Sequence, residues 1–169
     1  MDVETAIRAR RTHKRYGCAP VERETLLELL DLARCAPNHH LSQPWRFRVL
    51  GAATRARLET ATGEKEAAKL RRAPTLVLAT AVLSGDAHAD EEDLHAAACA
   101  VYAVLLGATA RGLASYWRSP AALTEPAVRD LLGLDVEERV VALIHLGPPG
   151  GEPPVKEREP LEAVVSFLP

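Results

Sequence analysis

A run of basic side chains near the amino terminus carries the densest positive charge of the chain. Five of the eight residues from Arg8 to Arg15 are arginine or lysine, and Thr12 adds a hydroxyl among them. Guanidinium groups bind phosphate through paired hydrogen bonds, and a hydroxyl supplies a further donor. The run is therefore a candidate phosphate clamp. Two other interpretations remain open from these residues alone: a solvated basic turn without a ligand, and a surface for nucleic acid.

The composition of the whole chain weakens the nucleic-acid interpretation and suggests a cellular compartment. The formal net charge is −2 over 169 residues, and no aromatic residues alternate with the basic ones. The three cysteines, Cys18, Cys35 and Cys99, are widely spaced, which fits a reducing compartment and no disulfide framework. No apolar secretory segment is visible near Met1, and the longest apolar stretch, Ala96 to Ala110, is short for a membrane span. We expect a cytoplasmic protein without a membrane or nucleic-acid partner.

A second polar segment lies between two apolar elements. The stretch from Ala36 to Phe47 contains Asn38, His39 and Gln43, and its two prolines exclude a continuous helix. Polar loops held between core elements often carry binding groups. His39 and its neighbour His40 are adjacent in sequence, so we expect their side chains to point in different directions and to make a poor metal pair, and no metal site is predicted.

The order and spacing of several motifs resemble the nitroreductase family. Arg-Arg-Thr-x-Lys occupies residues 10–14, and Ala-Pro-x₅-Gln-Pro-Trp-x-Phe occupies residues 36–47. Gly-Leu-x-x-x-Trp at 112–117, continued by Arg118 and Ser119, looks like the family's minimal, insertion-free subgroup. In the tail, a Gly-x-Pro turn at 147–149 leads to Lys-x-Arg at 156–158. The chain is similar to FMN-dependent oxidoreductases of this family over most of its length.

The resemblance implies a set of FMN-binding residues drawn from all four motifs. Arg11 with the Lys-x-Arg pair would anchor the phosphate, whereas Lys14 and Arg10 would place positive charge near the flavin pyrimidine. The commonest form of the family has Asn two residues before the Gln, where this chain has Leu41. The polar contact of that Asn is therefore lost, or His39 replaces it. The implied cofactor-binding residues are Arg10, Arg11, Thr12, Lys14, Asn38, His39, Gln43, Trp117, Arg118, Ser119, Lys156 and Arg158.

The resemblance also implies a reaction. NAD(P)H would be the co-substrate, and nitroaromatics, quinones or similar electron-poor molecules would accept the electrons in a ping-pong cycle. No catalytic side chain is predicted, because the flavin carries the chemistry. Glycine-rich dinucleotide, Walker-type, serine-elbow and zinc-protease motifs are absent from the sequence. A flavin carrier without turnover, and a family oxidase or dehydrogenase acting on a specific metabolite, remain alternatives.

Periodicity and chain breakers predict the elements that must position these residues. Two of the predicted helices have apolar residues on almost every side: the one before Pro37 and the part after Cys99 of the long helix. We expect the helix before Pro37 to be buried. The predicted helices span Asp2–Arg10, Val21–Cys35, Ala52–Arg72 with a break near Gly63, Glu91–Arg111, and a segment beginning at Thr124–Pro126. The predicted strands span Trp45–Leu50, Thr75–Leu83, the residues after Gly112, and Glu138–Gly147.

The fold class follows from the resemblance together with these elements. We expect a single domain over residues 1–169 with an α+β, three-layer α-β-α sandwich of nitroreductase type. A mixed central sheet of four strands would be joined by a fifth from the partner's tail, so residues 148–169 would form an extended carboxyl-terminal arm. The functional unit would be a homodimer with two FMN sites at its interface.

Overall fold

Four strands form one sheet, and six α-helices cover its two faces. The computed structural model describes residues 1–169. In chain order the elements are α1 (Val3–Ala9), α2 (Arg23–Ala33), β1 (Trp45–Val49), α3 (Ala52–Thr62), α4 (Glu64–Leu70), β2 (Thr75–Val82), α5 (Ala87–Ala110), β3 (Ala114–Arg118), α6 (Pro126–Leu131) and β4 (Glu138–Gly147). Short 3₁₀ segments occur at His39–Leu41, Ala121–Thr124 and Leu161–Ala163.

The strand order is β1-β2-β4-β3, and all three pairings between these strands are antiparallel. The parallel component that we expected of a mixed sheet is confined to one isolated bridge between Thr12 and Ser115 at the β3 edge. All of β2 except its last residue is buried, as predicted for an interior strand. The basic amino-terminal segment is thus attached to one edge of the sheet, and β1 forms the other edge.

The two faces of the sheet bury two separate apolar clusters, which gives the three-layer arrangement that we predicted. One cluster packs α2 and α5 against the sheet, and Leu29, Val101 and Ile144 are fully buried in it. The other joins α3, α4 and α6 to the opposite face, around Leu58 and Leu143. Alternate residues of β4 enter different clusters because successive side chains of a strand point to opposite faces.

Helix α5 starts earlier than the predicted Glu91. The Asp86 carboxylate accepts hydrogen bonds from the backbone N–H groups of His88 and Ala89, at 3.1 and 2.9 Å, and this cap begins the helix four residues before the predicted start. At 24 residues, α5 is long and apolar enough to cross a membrane, but half of its apolar window is buried within the fold. That packing is typical of a core helix.

Apolar side chains stay exposed at two places. Helix α2 is not buried all round, as its sequence suggested, because Leu27 and Leu32 are 55% and 42% exposed. The carboxyl-terminal arm leaves Phe167 and Leu168 almost completely in contact with solvent, at 96% and 88%. Exposed apolar groups of this size indicate surfaces that another protein chain can cover.

The loop between α2 and β1 has an unusual backbone. His40, Leu41 and Gln43 all have positive φ angles, of 50°, 55° and 44°, in a segment without glycine. The left-handed conformation brings Cβ close to the following carbonyl in any L-residue except glycine, and Asn tolerates it better than Leu does. Leu41 is also 75% exposed, so it gains little from burial. An Asn at residue 41 would therefore suit this backbone better than Leu does.

A buried carboxylate joins three strands at the β1 side of the sheet. The Glu138 side chain is 2% exposed and accepts two hydrogen bonds from Arg48, at 2.6 and 2.7 Å. Thr80 donates to the same carboxylate, and Arg48 also donates to the carbonyl oxygen of Gly133 at 3.1 Å. The hydrogen bonds from Arg48 outweigh burial and lower the pKa of Glu138 to about 2.

Replacing this carboxylate should make the fold less stable at neutral pH. Because the folded pKa lies below the ordinary 4.5, the ionised form stabilises the fold fully above pH 4.5 and loses this effect as the pH falls through 2. We expect Glu138→Gln to lower the free energy of unfolding by about 2–3 kcal/mol at pH 7, and by much less at pH 2. Urea denaturation at several pH values measures this. Glu64→Gln, which removes an exposed pair with Arg71, is the control and should change little. An equal loss for both variants contradicts the assignment.

Relieving the left-handed backbone should stabilise the protein. We expect Leu41→Asn to raise the free energy of unfolding by about 1 kcal/mol, because Asn adopts the positive φ at a lower cost. Thermal and urea denaturation at one fixed protein concentration measure the difference. Val136→Asn, at an exposed aliphatic residue that lacks a positive φ, should give no such gain. A stability gain of similar size at position 136 would show that the backbone of the loop is not the cause.

Candidate functional site

The basic segment is held between the β3 edge and the turn that follows β4. The His13 N–H donates to the Ser115 carbonyl at 3.1 Å, and the Gly17 N–H donates to the Pro148 carbonyl at 2.9 Å. The Tyr16 hydroxyl donates back to the His13 carbonyl at 2.9 Å, within the segment itself. These bonds fix the backbone from both sides, so the intervening side chains are presented from an ordered strand-like segment.

One glycine permits this close approach, and a second lets the end of β4 lie against the proline that precedes β2. A Cβ at Gly150 would lie 2.7 Å from the Tyr16 nitrogen, and a Cβ at Gly147 would lie 2.6 Å from the Pro74 ring. Real Cβ atoms do not occupy such positions, and the first obstacle is backbone, which cannot rotate away. Gly150 therefore allows the turn after β4 to contact the basic segment, and Gly147 allows the end of β4 to pack on Pro74.

A pocket of about 450 Å³ opens between this segment and the start of the carboxyl-terminal arm. Six of its lining side chains are cationic and one, Glu152, is a carboxylate. It brings together half of the residues that the sequence predicted for FMN, from both ends of the chain. The predicted residues that line it are Arg10, Arg11, Thr12, Lys14, Lys156 and Arg158.

The pocket cations have no acidic partner. Every ion pair within 4.0 Å lies elsewhere in the protein, for example Arg48–Glu138 and Arg111–Glu28. Arg11 donates only to backbone carbonyls, those of Arg8 at 2.5 Å and Arg10 at 3.0 Å. Like charges held together without counter-charges repel one another, and an anionic ligand would remove that repulsion.

Exposure and protonation differ across the pocket. Arg10, Arg11 and His13 are half-buried, whereas Lys14 and Arg158 are exposed. Burial lowers the pKa of His13, and the charge of Arg10 adds to the effect, although the Glu152 carboxylate opposes it. The imidazole therefore loses its proton more readily than usual, and the positive charge of the site comes from the arginines and lysines.

The pocket wall at Tyr116 is backed by a buried neutral histidine. The Tyr116 ring centroid lies 5.9 Å from that of His145, and the Tyr16 centroid lies 6.5 Å from it on another side. Burial, together with the charges of Arg118 and Arg55, lowers the pKa of His145 to about 3. His145 is neutral at physiological pH and supports the wall without adding charge.

The three predicted residues at the end of β3 lie outside the pocket. Trp117 faces the α2/α5 cluster, and its indole N–H donates to the Val141 carbonyl at 3.2 Å. Arg118 faces the other side of the sheet and pairs with Glu66 at 2.6 Å, and its Nη1 is buried without a partner. Ser119 is exposed. Their predicted contacts with FMN stay predictions.

The three predicted residues of the α2–β1 loop also lie apart from the pocket, beside the start of α5. The His39 Nδ1 is 2.6 Å from a Glu92 carboxylate oxygen, and Ser42 donates to Asp93 at 2.5 Å. The Asn38 side-chain oxygen accepts a hydrogen bond from the Gln43 N–H at 2.9 Å. Within one subunit this loop and the basic pocket do not form a common site.

Sequence reasoning missed several pocket residues. Arg15 belongs to the basic run, and its charge was a usable signal, although no motif includes it. Glu152 and the neighbouring prolines have no signal of their own, because they line the pocket only through the path of the arm. The lining residues that were not predicted are His13, Arg15, Tyr116, Gly151, Glu152, Pro153 and Pro154.

Comparison with solved structures agrees with this architecture. A nitroreductase-like family protein from Bacillus cereus superposes with a TM-score of 0.89 at 25% identity, over 99% of this chain and 96% of its own. A provisionally named nitroreductase from Desulfovibrio desulfuricans, solved in complex with FMN, superposes with a TM-score of 0.82 at 28% identity, over 99% and 96% of the two chains.

Sequence comparison points to the same family as the solved structures. A Bacillus subtilis protein with the provisional name NAD(P)H nitroreductase is 29% identical over 171 aligned positions, which cover 92% of this chain and 88% of the relative. A Thermus thermophilus protein named NADH dehydrogenase is 31% identical over 198 positions, covering 98% and 95%. The family model described as "Nitroreductase family" matches residues 7–69 and 60–148 in two overlapping segments. The chain belongs to the nitroreductase family, whose members are oxidoreductases.

Proposed function

We propose that this protein binds FMN in the basic pocket and uses it as an NAD(P)H-dependent reductase. The observation that carries the proposal is the group of six cationic side chains without an acidic partner in a pocket of about 450 Å³. That volume lies within the usual range for a small-molecule site. A phosphate group carries about −1.5 to −2 charges at pH 7 and has three acceptor oxygens, which matches such a donor set.

The pocket residues form two groups, one that would bind the phosphate of FMN and one that would lie near its pyrimidine ring. Arg11, Lys156 and Arg158 would hold the phosphate, because arginine pairs with phosphate oxygens through two hydrogen bonds and lysine supplies a compact charge. Lys14 and Arg10 would stabilise negative charge at the pyrimidine end of the flavin. The Thr12 hydroxyl is exposed beside these groups and offers one further hydrogen bond.

The chemistry belongs to the cofactor, and the chain positions it. FMN, when bound, supplies hydride and electron transfer between a nicotinamide donor and an acceptor. The FMN complex of the Desulfovibrio relative and the name of the Bacillus subtilis relative support this choice of cofactor and co-substrate. Nitroaromatics, quinones and similar flat, electron-poor molecules are the proposed acceptors. Donor and acceptor would use one opening in turn, so ping-pong kinetics are expected, and no side chain acts as a nucleophile.

A second copy of the chain would complete the site. Asn38, His39 and Gln43 lie away from the pocket of their own subunit, and a partner could bring them to it. An apolar depression between α1, α2 and α5 includes Leu32 and offers a face for the partner. The exposed arm offers a second face. We propose a homodimer on this basis. The three cysteines are free and exposed, which is compatible with the cytoplasmic location that we expect.

An absorption spectrum of the purified protein tests the proposed function directly. We expect flavin bands that bleach when NADH or NADPH is added without oxygen and return when a nitroaromatic or quinone follows. Flavin bands that neither nucleotide bleaches would favour a carrier, or an oxidase with its own donor. A colourless protein that also fails to bind added FMN would contradict the proposal.

Removing two phosphate contacts should release FMN without unfolding the protein. We expect Arg11→Ala combined with Arg158→Ala to weaken FMN binding at least a hundredfold, because each lost charge-assisted hydrogen bond costs ~1.5–3 kcal/mol. Flavin fluorescence titration of the apoprotein measures the affinity, and circular dichroism checks the fold.

The matched control removes the same charge outside the pocket. Arg8 and Arg23 are exposed and have no ion pair, so Arg8→Ala with Arg23→Ala should keep the wild-type affinity for FMN. If the first double variant binds FMN as tightly as this control, the phosphate assignment is wrong.

Deleting residues 161–169 should convert the dimer to monomers. These residues are exposed, and their hydrogen bonds in the subunit stay within the arm, such as Val164 N–H to the Leu161 carbonyl at 3.1 Å. Loss of buried contacts by two large apolar side chains at ~1.5 kcal/mol each would raise the dissociation constant at least a hundredfold. Sedimentation velocity measures this, with Ser166→Ala as a control. An unchanged dimer after the deletion would exclude the arm from the interface.

A further inference from the structure

The basic pocket contains one cation for which FMN provides no task. The proposed function assigns Arg10, Arg11, Lys14 and the Lys156–Arg158 pair to the cofactor, and Arg15 lines the same pocket without a role. We propose that Arg15 binds the 2′-phosphate of NADPH, so that the enzyme prefers NADPH to NADH. This inference rests on the proposed function and names the donor that it uses.

The structure fixes the backbone of Arg15 in the wall of the pocket. Its carbonyl accepts a hydrogen bond from the Gly150 N–H at 3.2 Å, which fixes the backbone. Its guanidinium lies over Gly151, where a Cβ would be 3.4 Å from Nη2 and 3.5 Å from Cζ. Gly151 has a φ of 138°, a conformation that strains other residues. The missing side chain at 151 leaves space beside the guanidinium.

The guanidinium of Arg15 is available for a ligand. It has no carboxylate within 4.0 Å and makes no side-chain hydrogen bond, although Glu152 lines the same pocket. Arg15 is exposed, so a ligand in solvent can reach its guanidinium. Arginine is the side chain best suited to paired hydrogen bonds with phosphate oxygens.

The charge balance favours the donor that carries more negative charge. FMN contributes one phosphate, of about −2 at pH 7, against six cations and one carboxylate. The remaining positive charge attracts any anionic donor, but NADPH brings an additional phosphate and gains more. In dinucleotide sites of the Rossmann type, a carboxylate binds the free ribose 2′-hydroxyl and an arginine accommodates the 2′-phosphate, and the same chemistry applies to an arginine in any site. Because six cations and one carboxylate line this pocket, it suits the 2′-phosphate of NADPH better than the free 2′-hydroxyl of NADH.

The test uses the full-length, FMN-loaded protein and two nucleotides that differ only in the 2′-phosphate. Isothermal titration calorimetry with 2′,5′-ADP and with 5′-AMP at about 0.1 M salt should show about tenfold tighter binding of 2′,5′-ADP, the effect of one partly exposed arginine–phosphate contact. The ratio of kcat/KM for NADPH to that for NADH should show a similar preference. In Arg15→Gln both ratios should fall close to one. Arg8→Gln, which removes an exposed arginine outside the pocket, should keep both wild-type ratios.

The outcomes separate this inference from the proposed function. If FMN binds and is reduced but wild-type protein shows no preference for 2′,5′-ADP or NADPH, the inference is wrong and the proposed function stands. A preference that survives in Arg15→Gln also overturns the role of Arg15. If Arg15→Gln does not fold, Arg15→Lys replaces it and should show a reduced but measurable preference, since lysine keeps the charge without the paired donors. Failure to bind FMN at all would be a failure of the proposed function instead.

Discussion

The close contact between the backbone of Tyr16 and Gly150 is the constraint on which the site depends. A side chain at residue 150 would overlap the Tyr16 backbone, and only glycine lets the two segments meet. The amino-terminal segment and the start of the arm are separated by more than a hundred residues in sequence, yet they form one wall at this contact. Without it the cations of the two ends would stay apart, and no pocket would exist.

Local charge placement, and not the total charge, gives the site its character. The chain is slightly acidic overall, at −2, and elsewhere its cations often meet carboxylates, as Arg48 meets Glu138. In the pocket, by contrast, the cations form no ion pair with a carboxylate. An exposed ion pair contributes little to stability, so the fold loses little by leaving the exposed cations, such as Lys14 and Arg158, without carboxylate partners, and they stay available for an anion.

The sequence predicted the elements where one physical signal dominated. Strand β4 has the predicted bounds, Glu138–Gly147, because its apolar run lies between turn residues. The break at Gly63 likewise separates α3 from α4, at a φ of 74°. The start of α5 was missed because an acidic, polar segment resembles a turn until Asp86 is recognised as a cap.

The candidate site was predictable only in part. Arg10, Arg11 and Lys14 could be found because they belong to a motif and to a charge cluster. Glu152 could not, because it lines the pocket only through the path of the arm. The ion pair of Arg118 with Glu66 could not be predicted either, since it joins residues that are far apart in the chain. Tertiary contacts of single charged residues leave no periodic signal in a sequence.

The solvent-exposed arm has a thermodynamic consequence for any work on this protein. In the dimer that we propose, Phe167 and Leu168 are buried only when two chains associate, so part of the folding free energy appears only on association. The melting temperature should then rise with protein concentration, as mass action requires. The stabilities of variants can therefore be compared only at one protein concentration, because dilution dissociates the dimer and lowers the stability of the fold.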